Sequence, residues 1–208
     1  MVRVRFAPSP TGPIHIGGVR TALYNYLYKL NKGGEFVLRI EDTDHSRKVE
    51  GAEKYIYDVL DYYRIKVDEG PREGGGFGPY RQSERREIYD KYINLLIDKG
   101  LAYYCYASKE ELLKARESKD FAYNSKTRMT FKNSLSLEQE ESLSLIKKKK
   151  YVVRLKVRGG VELSVTDLLR GTIKVNSNNL EDKILMKEDG LPTYHFANVV
   201  DDHLMKIT

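Results

Sequence analysis

Cysteine is almost missing from this chain: Cys105 is the only one among 208 residues. No disulfide can form within the chain, which fits a reducing compartment. With Tyr104 and Tyr106 as neighbours and no CxxC pair, Cys105 reads as a small, semi-buried apolar residue. No run approaches the roughly 18 apolar residues that span a bilayer. The opening MVRVRFAPSP lacks the apolar region of a signal peptide and is broken by prolines. The expectation is a soluble, cytoplasmic protein with no membrane partner. No internal repeat is visible, and only the lysine run 147–150 approaches low complexity.

Hydrophobic residues make up 40% of the chain, sixteen of them tyrosine, enough for a sizeable core. Charged residues reach 32% and the net charge is +6. That balance suits a polyanionic partner without identifying one.

Residues 2–7 alternate as a short strand with Val2, Val4 and Phe6 on one face. A loop follows that Pro8, Pro10 and Pro13 keep out of helix and central strand. A helix begins near Ile16 or Gly17. Its apolar stripe is Val19, Ala22, Leu23, Tyr26, Leu27 and Leu30, and Asn31, Gly33 and Gly34 end it. Residues 35–41 alternate as a second strand, so the opening forms a βαβ unit with parallel strands. A helix over 51–63 has Ala52, Ile56, Val59, Leu60 and Tyr63 inward. GPREGGGFGPYRQ reads as loop. Another helix spans 84–99, with Ser83 as N-cap and Gly100 just past its end.

AYYCY reads as a strand. SKEE at Ser108 and SLEQ at Ser136 look like capping boxes that open helices. YVVRLKV, VELSV and GTIKV read as strands. KILMK leads to a turn at Asp189-Gly190, and a further helix starts near Thr193.

In open α/β sheets ligands sit beyond the carboxyl ends of the strands. The stretch PSPTGPIHIGG lies there, and so do Glu41 and Asp42. A helix N-terminus offers unpaired N–H groups to a phosphate, and the bare backbone at Gly17 and Gly18 admits close approach. The proline loop would hold His15 in place before a ligand arrives. The pattern matches neither a GxxxxGK[ST] loop nor a GxGxxG turn.

PSPTGPIHIGG resembles the His-Ile-Gly-His signature of class I aminoacyl-tRNA synthetases. RFAPSPTG, LRIEDTD at 38–44, GPYRQSER at 78–85 and PTYHFANVVDDH at 192–203 together resemble the glutamyl-tRNA synthetases of bacterial or organellar type. The resemblance covers nearly the whole chain, in order. It implies an α/β fold: a Rossmann-type parallel sheet interrupted by a mixed α+β, acceptor-stem-binding insertion. The implied boundaries are 1–86 for the first Rossmann half, 87–187 for the insertion and 188–208 for the start of the second half. It implies glutamate–tRNA ligase activity through glutamyl-adenylate, with ATP, Mg²⁺, L-glutamate and tRNA(Glu) as partners of a monomer.

By the same resemblance His15 and Gly17 are catalytic, and Ser9, His15, Gly17 and Gly18 form the ATP site. Gly18 stands where the family signature has histidine, which leaves one phosphate or ribose contact unassigned. Arg5 would read the glutamate side chain through two parallel hydrogen bonds. Ala7 and Ser9 would line that pocket, Glu41 would bind the ammonium, and Tyr194 and Asn198, one helical turn apart, complete it. Asp167, Arg170 and Gly171 match a recurrent segment of the acceptor-binding region. The lysine run 147–150 is a solvated turn or a phosphate contact.

Zinc-binding relatives use a C-x-C pair and a later C-x-H. Here the matching stretches are Cys105-Tyr106-Ala107 and Thr127–Met129, so no zinc is expected. The family's Lys-Met-Ser-Lys-Ser loop and anticodon-binding region are missing, so the chain reads as an N-terminal piece, inactive by itself. The rivals are a glutamyl-queuosine tRNA(Asp) synthetase, a nucleotidyltransferase of the same chemistry, and a non-catalytic tRNA-binding fragment.

Overall fold

The structure is a computed structural model that describes residues 1–43, 49–148 and 150–208. Asp44, which closes the LRIEDTD stretch, and Lys149 of the lysine run lie outside the described residues. The chain divides into two compact units, one of residues 1–89 with 194–208, the other of residues 90–193. Among the described residues no helix is long and apolar enough to cross a membrane.

The first unit is built on a parallel pair. β1 (Arg3–Phe6) and β2 (Glu35–Leu38) pair in register from Arg3 with Glu35 to Phe6 with Leu38. Between them runs α1 (Ile16–Lys32), so the βαβ reading holds. α1 is closed by Gly33 in the left-handed region at φ 65°, whose N–H reaches the Lys29 carbonyl. β2 stops short of Glu41 as regular strand, but the extended path goes on: the Ile40 N–H donates to the Tyr80 carbonyl.

The core of this unit gathers Phe6, Ala22, Phe36, Leu38, Ile40, Ile56, Leu60 and Ile65. α2 (Ala52–Tyr62) supplies Ile56 and Leu60 as the periodicity requires. Tyr63, expected inward, is 48% exposed, and Tyr57 is buried in its stead. The Tyr57 hydroxyl explains the exchange, because the Arg72 N–H and Glu73 give it polar partners.

The apolar stripe of α1 departs from expectation as well. Val19 and Ala22 are buried, but Leu23, Leu27 and Leu30 are 39%, 50% and 54% exposed. Two strands about 4.8 Å apart cover only one side of a helix about 10 Å across. Among the described residues the outer part of the stripe has no further regular strand beneath it.

The glycine-rich loop after α2 is ordered by tyrosine and glutamate. Tyr80 donates its hydroxyl to Glu69 at 2.6 Å, and Glu69 also holds Arg3. Burial, with Glu69 beside it, pushes the Tyr80 hydroxyl up to about 12. Gly75 sits at φ 138° with the Tyr80 hydroxyl where a Cβ would go, so no side chain fits there.

Ser83 does not cap a helix. Residues Gln82–Glu84 form a short 3-10 turn, and α3 begins at Arg86 and runs to Asp98. The Ser83 amide and hydroxyl both donate to Asp42, at 2.8 and 2.7 Å, which removes that hydroxyl from capping duty. α3 carries the chain into the second unit.

There β3 (Ala102–Cys105), β4 (Val152–Leu155) and a third strand form an antiparallel sheet with β4 in the middle. Between β3 and β4 lie α4 (Lys109–Ala115) and α5 (Gln139–Lys147). The capping box at Ser108 is present in full, with Ser108 and Glu111 exchanging bonds at 3.1 and 2.7 Å. Ser136 is not a cap. Its hydroxyl accepts from the Asn133 N–H, and α5 opens later, after Glu138, with no side-chain cap.

Two further strands, β5 (Glu162–Asp167) and β6 (Gly171–Asn176), make an antiparallel hairpin whose side chains are largely exposed. β7 (Ile184–Met186) then completes the sheet against β4. Cys105 is fully buried rather than half-buried, its sulfur 3.3 Å from the Tyr123 hydroxyl. α6 (Tyr194–Leu204) belongs to the first unit, and beyond it the Thr208 N–H donates to the Arg3 carbonyl of β1.

Candidate functional site

The loop after β1 is tied down before it reaches α1. The Glu41 N–H donates to the Pro8 carbonyl and the Val49 N–H to the Pro10 carbonyl, at 3.0 and 3.1 Å. His15 is the N-cap of α1, in extended geometry at φ −67° and ψ 148°. Its Nδ1 accepts from the Gly17 N–H at 3.1 Å. A neutral ring that accepts at Nδ1 carries its proton on Nε2, so an exposed N–H donor faces away from the cap.

The two glycines have reasons inside the chain. A Cβ on Gly17 would stand 3.2 Å from His15 Nδ1, and one on Gly18 would stand 2.9 Å from Ile14 Cγ2. Gly17 leaves room for the histidine cap, and Gly18 lets the loop fold back on the helix. Ser9 is exposed and Ala7 half-buried beside this loop. The Ser9 carbonyl accepts from the Thr11 N–H.

The second cluster lies at the carboxyl end of the strands. Arg39 is fully buried. It donates Nη2 to Glu41 at 3.2 Å and Nη1 to Asp202 at 2.7 Å, and its Nε lies 3.6 Å from Asp201. Arg5 donates Nε and Nη2 to the two oxygens of Asp202, both at 3.1 Å. Arg5 Nη2 also donates to Asn198 Oδ1 at 3.1 Å, and Asn198 Nδ2 donates to the Tyr194 hydroxyl at 2.8 Å. Arg5, Asn198, Tyr194 and, through Arg39, Glu41 are thus brought into one network. His15, Gly17 and Gly18 form a separate cluster at the start of α1.

Burial sets the electrostatics of the network, and the paired charges answer it. Burial disfavours the Arg5 charge, but the bonds and charge of Asp202, with Glu41 and Tyr194 adding, hold the guanidinium above its ordinary value. Glu41 is pushed above the usual carboxylate range by burial, which Arg39 and Arg5 only partly offset. Asp202 goes the other way: burial would raise it, yet the hydrogen bonds from Arg5 and Arg39 hold it below.

A third group buttresses the second. Asp201 is sealed from solvent and accepts from Gln82 Nε2 at 2.8 Å, Arg85 Nε at 2.7 Å and the Tyr89 hydroxyl at 2.9 Å. GPYRQSER therefore works partly as a support, for Gln82 and Arg85 hold the helix that carries Asn198 and Asp202. Arg39, Asp201 and Asp202 were not singled out by the sequence. One signal was available: Tyr194, Asn198 and Asp202 recur every fourth residue and share a helix face.

Asp167, Arg170 and Gly171 sit in the turn of the β5–β6 hairpin. Asp167 Oδ1 accepts from the Leu169 and Arg170 N–H groups, at 2.8 Å each, and Gly171 has φ 70°. Those two backbone bonds hold the Asp167 carboxyl below its usual range. Leu168 and Leu169 at the tip are 92% and 96% exposed. Among the described residues no group of histidine, cysteine and carboxylate side chains is arranged to hold a metal ion.

The sequence profile described as tRNA synthetases class I (E and Q), catalytic domain, matches residues 1–208. The glutamate–tRNA ligase of Parabacteroides distasonis is 55% identical over 210 residues, covering 100% of this chain and 42% of that protein. That of Christiangramia forsetii is 54% identical over 213 residues, with the same coverage. A crystal structure of a glutamate tRNA ligase from Elizabethkingia meningosepticum, in complex with its amino acid, superposes with a TM-score of 0.93 at 51% identity. It covers 100% of this chain and 42% of that one. The chain thus spans about 42% of the length of these relatives. A parallel βαβ opening, a histidine that caps its helix and a profile match from end to end place the chain in the catalytic-domain family of the class I tRNA synthetases for E and Q.

Proposed function

We propose that the chain is the glutamate- and ATP-binding part of a glutamate–tRNA ligase. The observation that carries this reading is the Arg5 guanidinium, held by Asp202 and Asn198 beside the half-exposed end of α6. The relatives support it, and being glutamate–tRNA ligases they do not favour the glutamyl-queuosine alternative.

In this reading an α-carboxylate oxygen of glutamate attacks the α-phosphorus of ATP. The bond to the bridging oxygen breaks and pyrophosphate leaves. A ribose hydroxyl at the 3′ end of tRNA(Glu) then attacks the mixed anhydride, and AMP leaves. Arg5 holds the side-chain carboxylate, Glu41 the ammonium, and Tyr194 and Asn198 frame the pocket with Ala7 and Ser9. The His15 Nε2–H donates to an α-phosphate oxygen as negative charge builds there. Gly17 and Gly18 give the nucleotide a bare approach to the start of α1. Mg²⁺ bound with ATP would supply charge neutralisation on the phosphate oxygens.

The sheet and helices of 1–86, resumed from 188, are the Rossmann part. Residues 87–187 are the insertion that meets the acceptor stem, with Asp167, Arg170 and Gly171 at the contact. The insertion takes no zinc in this reading, because Cys105 is the one cysteine in the sequence and structural zinc usually has four ligands. The enzyme works as a monomer in the cytoplasm.

Amino-acid-dependent ATP–pyrophosphate exchange by the full-length protein, with tRNA(Glu) present, tests this reading. Exchange with glutamate and not glutamine is expected. Exchange driven by another amino acid, or none at all, contradicts it.

A further inference from the structure

Arg5 has five N–H groups, and three are already committed. Nε–H and one hydrogen of Nη2 go to the two oxygens of Asp202, and the other hydrogen of Nη2 goes to Asn198 Oδ1. Both hydrogens of Nη1 are without a partner among the described residues. We infer that Asp202 is a positioning residue for the amino-acid site: it occupies the Nε/Nη2 edge of Arg5, so that an incoming carboxylate can be taken only by Nη1. The inference rests on the glutamate reading above and refines it, because two parallel bonds from that edge to the substrate are no longer available.

Three features make Asp202 suited to this. It is itself fixed, since the fully buried Arg39 donates Nη1 to Asp202 Oδ1 at 2.7 Å. It matches the flat fork of a guanidinium with two oxygens, each at 3.1 Å, which sets the plane of the group as well as its place. It also passes orientation on. With Arg5 donating to Asn198 Oδ1, the Asn198 amide must turn its nitrogen to the Tyr194 hydroxyl, at 2.8 Å. That hydroxyl accepts, so its own hydrogen remains to be donated. Around Arg5 and Asn198 the groups left for the side-chain end of a ligand are Nη1–H and the Tyr194 O–H, which are donors. A carboxylate meets donors with acceptors at both oxygens, whereas an amide must turn its NH₂ toward one of them. Selection of acid over amide follows from the orientation that Asp202 starts.

The test uses the full-length protein and pyrophosphate exchange kinetics. Asp202→Asn keeps the size but loses one acceptor and the charge. It is expected to raise the glutamate KM at least tenfold, with the ATP KM within twofold of wild type. In an Arg5→Ala background the same substitution should change the glutamate KM less than twofold, because the group it positions is gone. Should Asp202→Asn fail to fold, Asp202→Glu keeps the charge opposite Arg39 and displaces the oxygens by one methylene. It must then raise the glutamate KM without the ATP KM. A glutamate KM within twofold of wild type in Asp202→Asn overturns the inference, as does an equal rise with and without Arg5. A second readout needs no substrate: the Arg5 Nε–H signal in an arginine-labelled NMR spectrum, assigned by its loss in Arg5→Lys. It should be protected from exchange in the wild type and unprotected in Asp202→Asn. If wild type shows no exchange with glutamate, the functional reading falls, while this signal still decides whether Asp202 holds Arg5.

Discussion

Arg85 donates its Nε to Asp201 at 2.7 Å, and neither side chain is more than 1% exposed. The two residues are 116 positions apart in sequence. Arg85 also donates Nη1 to the Pro79 carbonyl, so one side chain fastens both the loop before α3 and the helix α6. Removing one partner of a buried pair leaves a charge without its counterion and costs about 3–5 kcal/mol. Gln82 and Tyr89 still bond Asp201, and the Arg39 charge remains 3.6 Å away, which favours the lower end. Arg85→Ala is expected to lower the thermal midpoint by about 6–12 °C for a cost near 3 kcal/mol. A fall of less than about 2 °C contradicts the support role.

Gly17 sets two effects against each other. Alanine in a helix is favoured over glycine by about 1 kcal/mol, so propensity alone predicts a more stable protein. The added Cβ would stand 3.2 Å from His15 Nδ1, however, and crowd the cap. Gly17→Ala is expected to lower kcat for pyrophosphate exchange at least tenfold without lowering the thermal midpoint. Unchanged kcat would mean that the histidine needs no such room.

Much of this fold is legible in the sequence. Alternation in 2–7 and 35–41, with three- and four-residue spacing between, gave the parallel pair. The Ser108-Glu111 box gave the start of α4, because a capping box is a local exchange between residues three apart. What stayed hidden depends on distant partners. Ser83 looks like a cap until Asp42, 41 positions away, takes its hydroxyl. Ser136 has the spacing of a cap, but the Asn133 turn uses it first. Leu23, Leu27 and Leu30 have the periodicity of a buried stripe, yet periodicity does not say how wide the sheet beneath is. Around Arg5, the family resemblance picked out Arg5, Glu41, Tyr194 and Asn198, which the structure brings together. It did not pick out Arg39 and Asp202, 163 positions apart, whose pairing organises them.

Glu41 gives the site a pH signature. Burial, with Asp201 adding, lifts its carboxyl above the usual range against the opposing pull of Arg39 and Arg5. On acidification it takes up a proton earlier than an ordinary glutamate. The glutamate KM should therefore rise as pH falls through that raised value, since a neutral carboxyl holds an ammonium poorly. Stability has the opposite sign: between the ordinary and the raised value the folded state keeps a proton that the unfolded chain has lost. The contribution of Glu41 to stability thus falls as pH rises through the window. Glu41→Gln should flatten the KM profile. The same profile in wild type and variant would remove Glu41 from ammonium binding.

Arg170 offers a test of the hairpin. Its side chain is exposed beside a turn that Asp167 fixes through two backbone bonds. If it meets a phosphate of the acceptor stem, Arg170→Ala weakens tRNA binding and reduces the slope of log affinity against log salt by about 0.7–0.9. Filter binding over a range of salt reads that slope. An unchanged slope would take Arg170 off the tRNA surface.

Arg5 and the start of α1, two clusters of the first unit, are proposed to form one site that reads glutamate joined to AMP. Isothermal calorimetry with a non-hydrolysable glutamyl-adenylate analogue, beside the glutaminyl one, addresses both ends at once. The full-length protein should bind the glutamyl form and discriminate against the glutaminyl form. Arg5→Ala should cost about 2–5 kcal/mol of that binding, as loss of one partner in a buried charge pair does, a weakening of roughly 30-fold to several thousandfold. Equal binding of the two analogues, or a loss below threefold in Arg5→Ala, would contradict the assignment.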